Sequence, residues 1–196
     1  MSIGALTYRK VQNIFTGGNH CFLINQRYSR KENRTFTSVF GWGLNNWGQL
    51  GIGKSDNTYK AVELEALRDA NIRDIVGGEY HTLILFENGI VKGCGINNDY
   101  QLGPLDIEDF KNLHPNLSDK EAALENPEAV YLPTTIKIGA PCKQVLASSN
   151  FSYAIQEDNS TRSWGLGYSY VLGNGKEEEI QTPHTINPKL LKTEVG

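Results

Sequence analysis

The stretch Trp42-Gly43-Leu44-Asn45-Asn46-Trp47-Gly48-Gln49-Leu50-Gly51 returns as Cys94-Gly95-Ile96-Asn97-Asn98-Asp99-Tyr100-Gln101-Leu102-Gly103. It returns once more, eroded, as Trp164-Gly165-Leu166-Gly167-Tyr168-Ser169-Tyr170-Val171-Leu172-Gly173. A second motif precedes each copy: Gly17-Gly18-Asn19-His20-Cys21, then Gly78-Glu79-Tyr80-His81-Thr82, then the degenerate Ser148-Ser149-Asn150-Phe151-Ser152. Two linked motifs that keep their order three times define a repeat. A repeat constrains the fold strongly, because each copy adopts one local structure and buries its apolar surface only by stacking on its neighbour. The copies lie 52 residues apart (42 to 94) and then 70 apart (94 to 164), so a unit of about 50 residues carries insertions. His20 to Trp42 spans 22 residues, against 13 for both His81 to Cys94 and Phe151 to Trp164. Nine extra residues therefore sit near 27 to 37 in the first unit, and about 18 sit between 104 and 130 in the second.

Between the motifs lie short apolar runs, such as Cys21-Phe22-Leu23-Ile24, Thr82-Leu83-Ile84-Leu85-Phe86 and Tyr153-Ala154-Ile155, with Asn88-Gly89 and Asp158-Asn159 at the turns. Those residues accept the positive φ that a tight hairpin demands. Twenty glycines in 196 residues exceed the usual roughly 7%, and the surplus falls at fixed repeat positions: Gly17, Gly43, Gly48 and Gly51, then Gly78, Gly95 and Gly103, then Gly165 and Gly173. There the backbone turns tightly or packs where a Cβ would clash. Short strands, hairpin turns and this period predict an all-β chain of propeller blades. The expected divisions are a partial preceding blade at 1–10, unit one at 11–67, unit two at 72–138, unit three at 142–187, and a tail or next unit at 188–196. The capping box Ser118-Asp119-Lys120-Glu121 predicts a short helix through Leu124 inside the second insertion.

Composition removes several classes of function. A net charge of −3 argues against a generally basic nucleic-acid binder, and no apolar run approaches the roughly 20 residues of a membrane helix. The first residues carry neither a basic nor an apolar signal region, so an intracellular protein is expected. Cys21, Cys94 and Cys142 are scattered and odd in number, which excludes a disulfide framework. His20, His81, His114 and His184 form no ligand spacing with them; neither a metal nor a cofactor is expected. Gly48-Gln49-Leu50-Gly51-Ile52-Gly53-Lys54-Ser55 satisfies G-x-x-x-x-G-K-S, yet Asp56-Asn57-Thr58-Tyr59 follows where a phosphate-binding loop needs a helix.

The order G-x-x-H-T, short hairpin, W-G-x-N-x-x-G-Q-L-G resembles the repeat of the regulator of chromosome condensation family over roughly residues 11 to 187. The order of units resembles the C-terminal blades of the family's Ran exchange factor. The resemblance implies a seven-bladed propeller, of which three to four blades form an incomplete ring here. Seven units need about 350 residues at this period, so the missing blades are expected from the rest of the protein or from a partner. It further implies a nuclear or nucleocytoplasmic exchange factor, or part of one, that stabilises a nucleotide-free Ran-like GTPase. No covalent step is expected. The alternative is a non-catalytic interaction module, since a fold does not fix a function.

The histidine slot of such exchange factors lies near the face that meets the GTPase, which makes His81 the first candidate contact, although a histidine tying down backbone is the plainer reading for both His20 and His81. Trp47 stands where Asp99 and Ser169 stand in the other units and is an interface anchor candidate. Asp99 and Glu79 are the acidic candidates on the same rim. Trp42 and Trp164 read as blade-packing aromatics. Arg27, Arg30, Lys31 and Arg34 form a basic insertion suited to chromatin phosphate or an import receptor. The second insertion has seven acids against two lysines, a charge suited to steering a basic partner.

Overall fold

The computed structural model describes residues 9–115 and 127–186. Among these residues twelve strands form three four-stranded antiparallel sheets, each a simple meander. The first contains β1 (Arg9–Thr16), β2 (His20–Ser29), β3 (Arg34–Gly43) and β4 (Thr58–Glu63); the second contains β5 (Ile72–Gly77), β6 (His81–Phe86), β7 (Val91–Ile96) and β8 (Ala129–Thr135). The third contains β9 (Cys142–Ser148), β10 (Phe151–Gln156), β11 (Thr161–Gly165) and β12 (Ile180–Thr185). The first strands of successive sheets approach one another, so β1, β5 and β9 are innermost, as in a propeller. Three blades stack without closing a ring.

Each sheet is apolar on both faces, and each pair of neighbours buries one core. Phe22, Ile24, Val39 and Leu50 of the first sheet meet Ile75 and Ile84 of the second. Leu83, Leu85 and Leu102 of the second meet Val145, Ala154 and Trp164 of the third. The repeat's turn explains its conserved spacing within the chain. The Asn45 side-chain carbonyl accepts from the Leu50 amide at 2.8 Å, and the Asn97 carbonyl accepts from the Leu102 amide at 2.8 Å. Gln49 and Gln101 accept from the amides of Trp47 and Asp99, at 3.0 and 2.9 Å. Gly43, Gly95 and Gly165 share φ near +100°, and a Cβ on each would fall 2.3–2.6 Å from the carbonyl oxygens of Asn19, Tyr80 and Asn150. Only glycine fits that slot.

The described parts of both insertions are built onto the sheets. In the first unit β2 and β3 pair without a break from His20↔Gly43 to Ser29↔Arg34, so the extra residues at 27 to 37 lengthen a hairpin. Its stem is packed, with the Arg34 guanidinium 3.8 Å and the Arg27 guanidinium 5.9 Å from the Phe36 ring centre. Asp69 accepts from Arg34 at 3.0 Å and from the Thr37 amide at 3.1 Å. In the second insertion the helix is α1 (Ile107–Leu113), capped by Asp106, whose carboxylate accepts from the amides of Glu108 and Asp109. The helix expected at 118–124 lies outside the described residues. Two of the described acids are engaged: Asp109 Oδ2 receives Lys92 at 3.0 Å, the Thr135 amide at 2.8 Å and the Thr135 hydroxyl at 2.6 Å, while Asp106 pairs with Lys137 at 3.6 Å. This part of the insertion is strapped to β8 through Asp109. At the start of the chain, Arg9 and Lys10 belong to β1 and not to a preceding blade.

Candidate partner-binding rim

The meander sorts every connection to one of two rims. Turns between first and second strands (17–19, 78–80, 149–150) and connections between third and fourth strands share one rim. The amides of Leu44, Ile96 and Leu166 tie the two sets together by donating to Asn19, Tyr80 and Asn150. Hairpins between second and third strands, including the long basic one, project from the opposite rim.

The histidine slot lies under the first rim, between sheets. The Thr82 hydroxyl donates to the Gln49 carbonyl at 2.7 Å, and its oxygen lies 2.8 Å from His20 Nε2. Since a hydroxyl has one proton and Thr82 spends it on Gln49, His20 is the donor and carries its proton on Nε2. The next junction repeats the relay: the Ser152 hydroxyl donates to the Gln101 carbonyl at 2.7 Å and receives His81 Nε2 at 3.0 Å. Both rings fold back over the glycine three residues earlier, where a Cβ on Gly17 or Gly78 would sit 2.3 or 2.1 Å from the imidazole. Burial lowers the His20 pKa to about 4; burial, helped by His20, lowers that of His81 to about 3. Both stay neutral at physiological pH.

His81 is fully buried, so in this structure it presents no surface to a partner and acts by fixing the second sheet to the third. The other three candidates do reach the rim. Glu79 is exposed, its amide held by the Ser149 carbonyl at 2.9 Å. Its carboxylate holds the Tyr80 phenol pKa above the usual range. Trp47 and Asp99 occupy the same turn position in successive units and are half-buried. Asp99 accepts from Asn150 Nδ2 at 2.9 Å across the second junction. Trp164 is buried as expected of a packing aromatic, whereas Trp42 is only half-buried. Of the basic candidates, Arg27 and Arg34 are used in the hairpin stem, leaving Arg30 and Lys31 exposed at the tip.

Sequence reasoning missed Thr82 and Ser152 as relay members, although both follow the histidine slot directly. It also missed Arg73, which joins Glu87 at 3.2 Å and Glu157 at 3.4 Å across two units. The G-x-x-x-x-G-K-S stretch cradles nothing: the amides of Gly48, Leu50, Gly51 and Gly53 are bonded to Asn45, Gly48 and Tyr131, and β4 follows. Among the described residues no group of three His, Cys, Asp or Glu side chains clusters. Burial raises the thiol pKa of Cys94 to about 12 and that of Cys142 to about 11, far from nucleophile range. None of the described helices is long and apolar enough to cross a membrane.

This architecture, a meandering four-stranded sheet repeated with one turn motif and one inter-sheet relay, defines a β-propeller repeat protein. The regulator of chromosome condensation (RCC1) repeat models match residues 38–85 and 72–101, and the chain belongs to the RCC1 repeat family. Guanine nucleotide exchange factor SRM1 of Saccharomyces cerevisiae is 32% identical over 187 residues, 91% of this chain and 35% of that protein. The crystal structure of Prp20p from S. cerevisiae, described with its binding to Gsp1p and histones, superposes with a TM-score of 0.69 at 28% identity, covering 90% of this chain and 38% of Prp20p. Yeast RCC1 (Prp20) bound to Kap60 gives 0.68 at 28% identity, with 90% and 37% covered. The chain thus spans somewhat over a third of the length of these three.

Proposed function

We propose that the chain is the GTPase-facing part of a guanine-nucleotide exchange factor for a Ran-like small GTPase. The observation that carries this reading is the likeness to SRM1 along nine-tenths of the chain, a relative whose name states that activity. Exchange of this kind needs no proton transfer and no bond making. The protein binds the nucleotide-free GTPase more tightly than the loaded one, and by linkage the bound nucleotide is weakened by the same factor. Trp47, Glu79 and Asp99 are the contact residues on the rim. His81 acts behind them, positioning the turn that holds Asp99 through Ser152 and the Gln101 carbonyl.

The opposite rim carries a second role in the same reading. Arg30 and Lys31, at the end of a stiff hairpin, suit an anionic surface such as chromatin phosphate or an import receptor, and Kap60 is the bound partner named for yeast RCC1 (Prp20). A nuclear location follows. The test is release of a fluorescent guanine nucleotide from Ran and from an unrelated small GTPase. Faster release from Ran alone supports exchange, and Trp47→Ala should reduce it. Binding to Ran without faster release would move the reading to a non-catalytic interaction module.

A further inference from the structure

Each innermost strand carries the same bulge. The ladder skips Gln12 in β1, Arg73 in β5 and Lys143 in β9, and the next residues, Asn13, Asp74 and Gln144, pair with the equivalent Ile24, Leu85 and Ile155. A bulge re-aims the side chain beside it. The re-aimed position is thus an amide in the first and third units and a carboxylate in the second. Since two of the three units fill it with an uncharged group, the fold does not require a charge at Asp74.

That charge has no counterpart. Asp74 is half-buried, and its carboxylate accepts from the amide of its own neighbour Ile75 at 2.9 Å; among the described residues no cation pairs with it. The other half-buried carboxylates are matched, Glu63 by Arg68 at 2.9 Å, Asp106 by Lys137 at 3.6 Å, Asp109 by Lys92 at 3.0 Å and Asp99 by the Asn150 amide at 2.9 Å. Burial raises the Asp74 pKa above its ordinary value, so a cation brought to it relieves a cost already present.

Asp74 lines a cavity of about 330 Å³ built by all three innermost strands. Thr16 and Gln144 add neutral oxygen acceptors, and Val76, Leu146 and Ala147 supply an apolar wall. This mixture selects the ligand. A hard metal ion needs a cage of several oxygens, which one carboxylate in an apolar wall does not provide. A guanidinium pairs best with both carboxylate oxygens, and Oδ1 already takes the Ile75 amide. An ammonium is satisfied by one carboxylate oxygen and neutral acceptors, with its alkyl stem on the apolar wall.

We propose that this cavity on the inner wall binds a free alkylammonium ion, its head at Asp74 and its methylenes along Val76, Leu146 and Ala147. A lysine of a partner lying on the rim is not the occupant. Asp74 lies three residues below Gly77, where β5 ends at the rim, which is roughly 10 Å along a strand, and the four-carbon stem of lysine falls short of that depth. The site is separate from the rim contacts of the exchange reading and does not rest on it.

The test titrates hexylamine, butylamine and hexanol into the full chain by calorimetry at pH 7, where an amine of pKa about 10.4 is protonated. Contacts of the bound ligand are read as nuclear Overhauser effects to protein methyl groups. Hexylamine should saturate below roughly 10 mM and touch the methyls of Val76, Leu146 and Ala147. Butylamine should bind roughly tenfold more weakly, about threefold for each methylene lost. Hexanol, of the same shape without the charge, should bind at least tenfold more weakly than hexylamine, and Asp74→Asn should weaken hexylamine at least tenfold while leaving hexanol unchanged. Absence of saturation, hexanol matching hexylamine, contacts at other methyls, or full affinity in Asp74→Asn would each overturn the proposal. So would a blocked Gly-Lys-Gly peptide binding as tightly as hexylamine, which would make a partner's lysine the occupant. Should Asp74→Asn fail to fold, the comparison of hexylamine with hexanol on the unaltered chain decides alone.

Discussion

Lowering the pH from 7 to 5 is expected to loosen the stack through His20 and His81. Their pKa values fall from an ordinary 6.5 to about 4 and about 3 in the folded protein, chiefly because burial penalises the charged ring. The folded state thus refuses protons that the unfolded chain accepts, and stability falls as pH drops below 6.5. The contribution is complete above pH 6.5 and is lost progressively down to the folded values. Each histidine removes up to about 1.4 kcal/mol per pH unit within that window, or about 2 kcal/mol between pH 7 and 5, so the pair removes about 4 kcal/mol. The carboxylates held low in the fold, Asp106, Asp109, Asp158 and Glu63, lose their contribution only as pH falls through and below their unfolded values of 3.8 and 4.5. The upper window therefore belongs chiefly to the histidines. Urea unfolding at half-unit pH steps measures the slope, and potentiometry should find close to two protons taken up on unfolding at pH 5. His20→Gln should halve the slope whatever it does to absolute stability. A flat profile from pH 7 to 5, or a slope untouched by His20→Gln, would refute the buried neutral relay.

Thr82→Val removes both relay bonds of the first junction and should cost about 2–4 kcal/mol in unfolding free energy, whereas Thr82→Ser should cost under about 1 kcal/mol, both read by denaturant titration. Gly95→Ala drives a Cβ to within 2.3 Å of the Tyr80 carbonyl at φ +109° and should cost more than about 3 kcal/mol; Gly175→Ala, at φ +75° with nothing within 4 Å, should cost about 1 kcal/mol. Asp109→Ala strips three donors of their acceptor and should release α1 from β8, seen as loss of hydrogen-exchange protection at the Thr135 amide.

The repeat was legible because its turn is local: the side chains of Asn45 and Gln49 bond amides within five residues, so the same spacing recurs wherever the turn does. The third copy eroded where that logic lapses, with Gly167 and Val171 in those slots and Ser169 and Tyr170 at positive φ. What escaped the sequence was long-range. The burial of His81 depends on Ser152, 71 residues away, and nothing near His81 announces it. The hairpin extension read as an insertion because its outer half is solvated and carries charge on both faces, which hides the two-residue alternation of a strand. Helix α1 buries a single large apolar residue, Phe110, too few for a helical period, and its signal was the cap at Asp106. Of the rim candidates, Trp47 stood out as a break in the repeat; that test flags surface positions, whereas matched positions such as His81 are held by packing.

The proposed exchange function requires that this chain distinguish two states of a GTPase. The direct measurement is the affinity of the chain for Ran freed of nucleotide and for Ran loaded with GDP, under one buffer and salt condition. Exchange activity predicts tighter binding to the nucleotide-free form by at least tenfold, a coupling of about 1.4 kcal/mol. Equal affinity for the two forms would contradict it, because a ligand that binds both states equally shifts nothing.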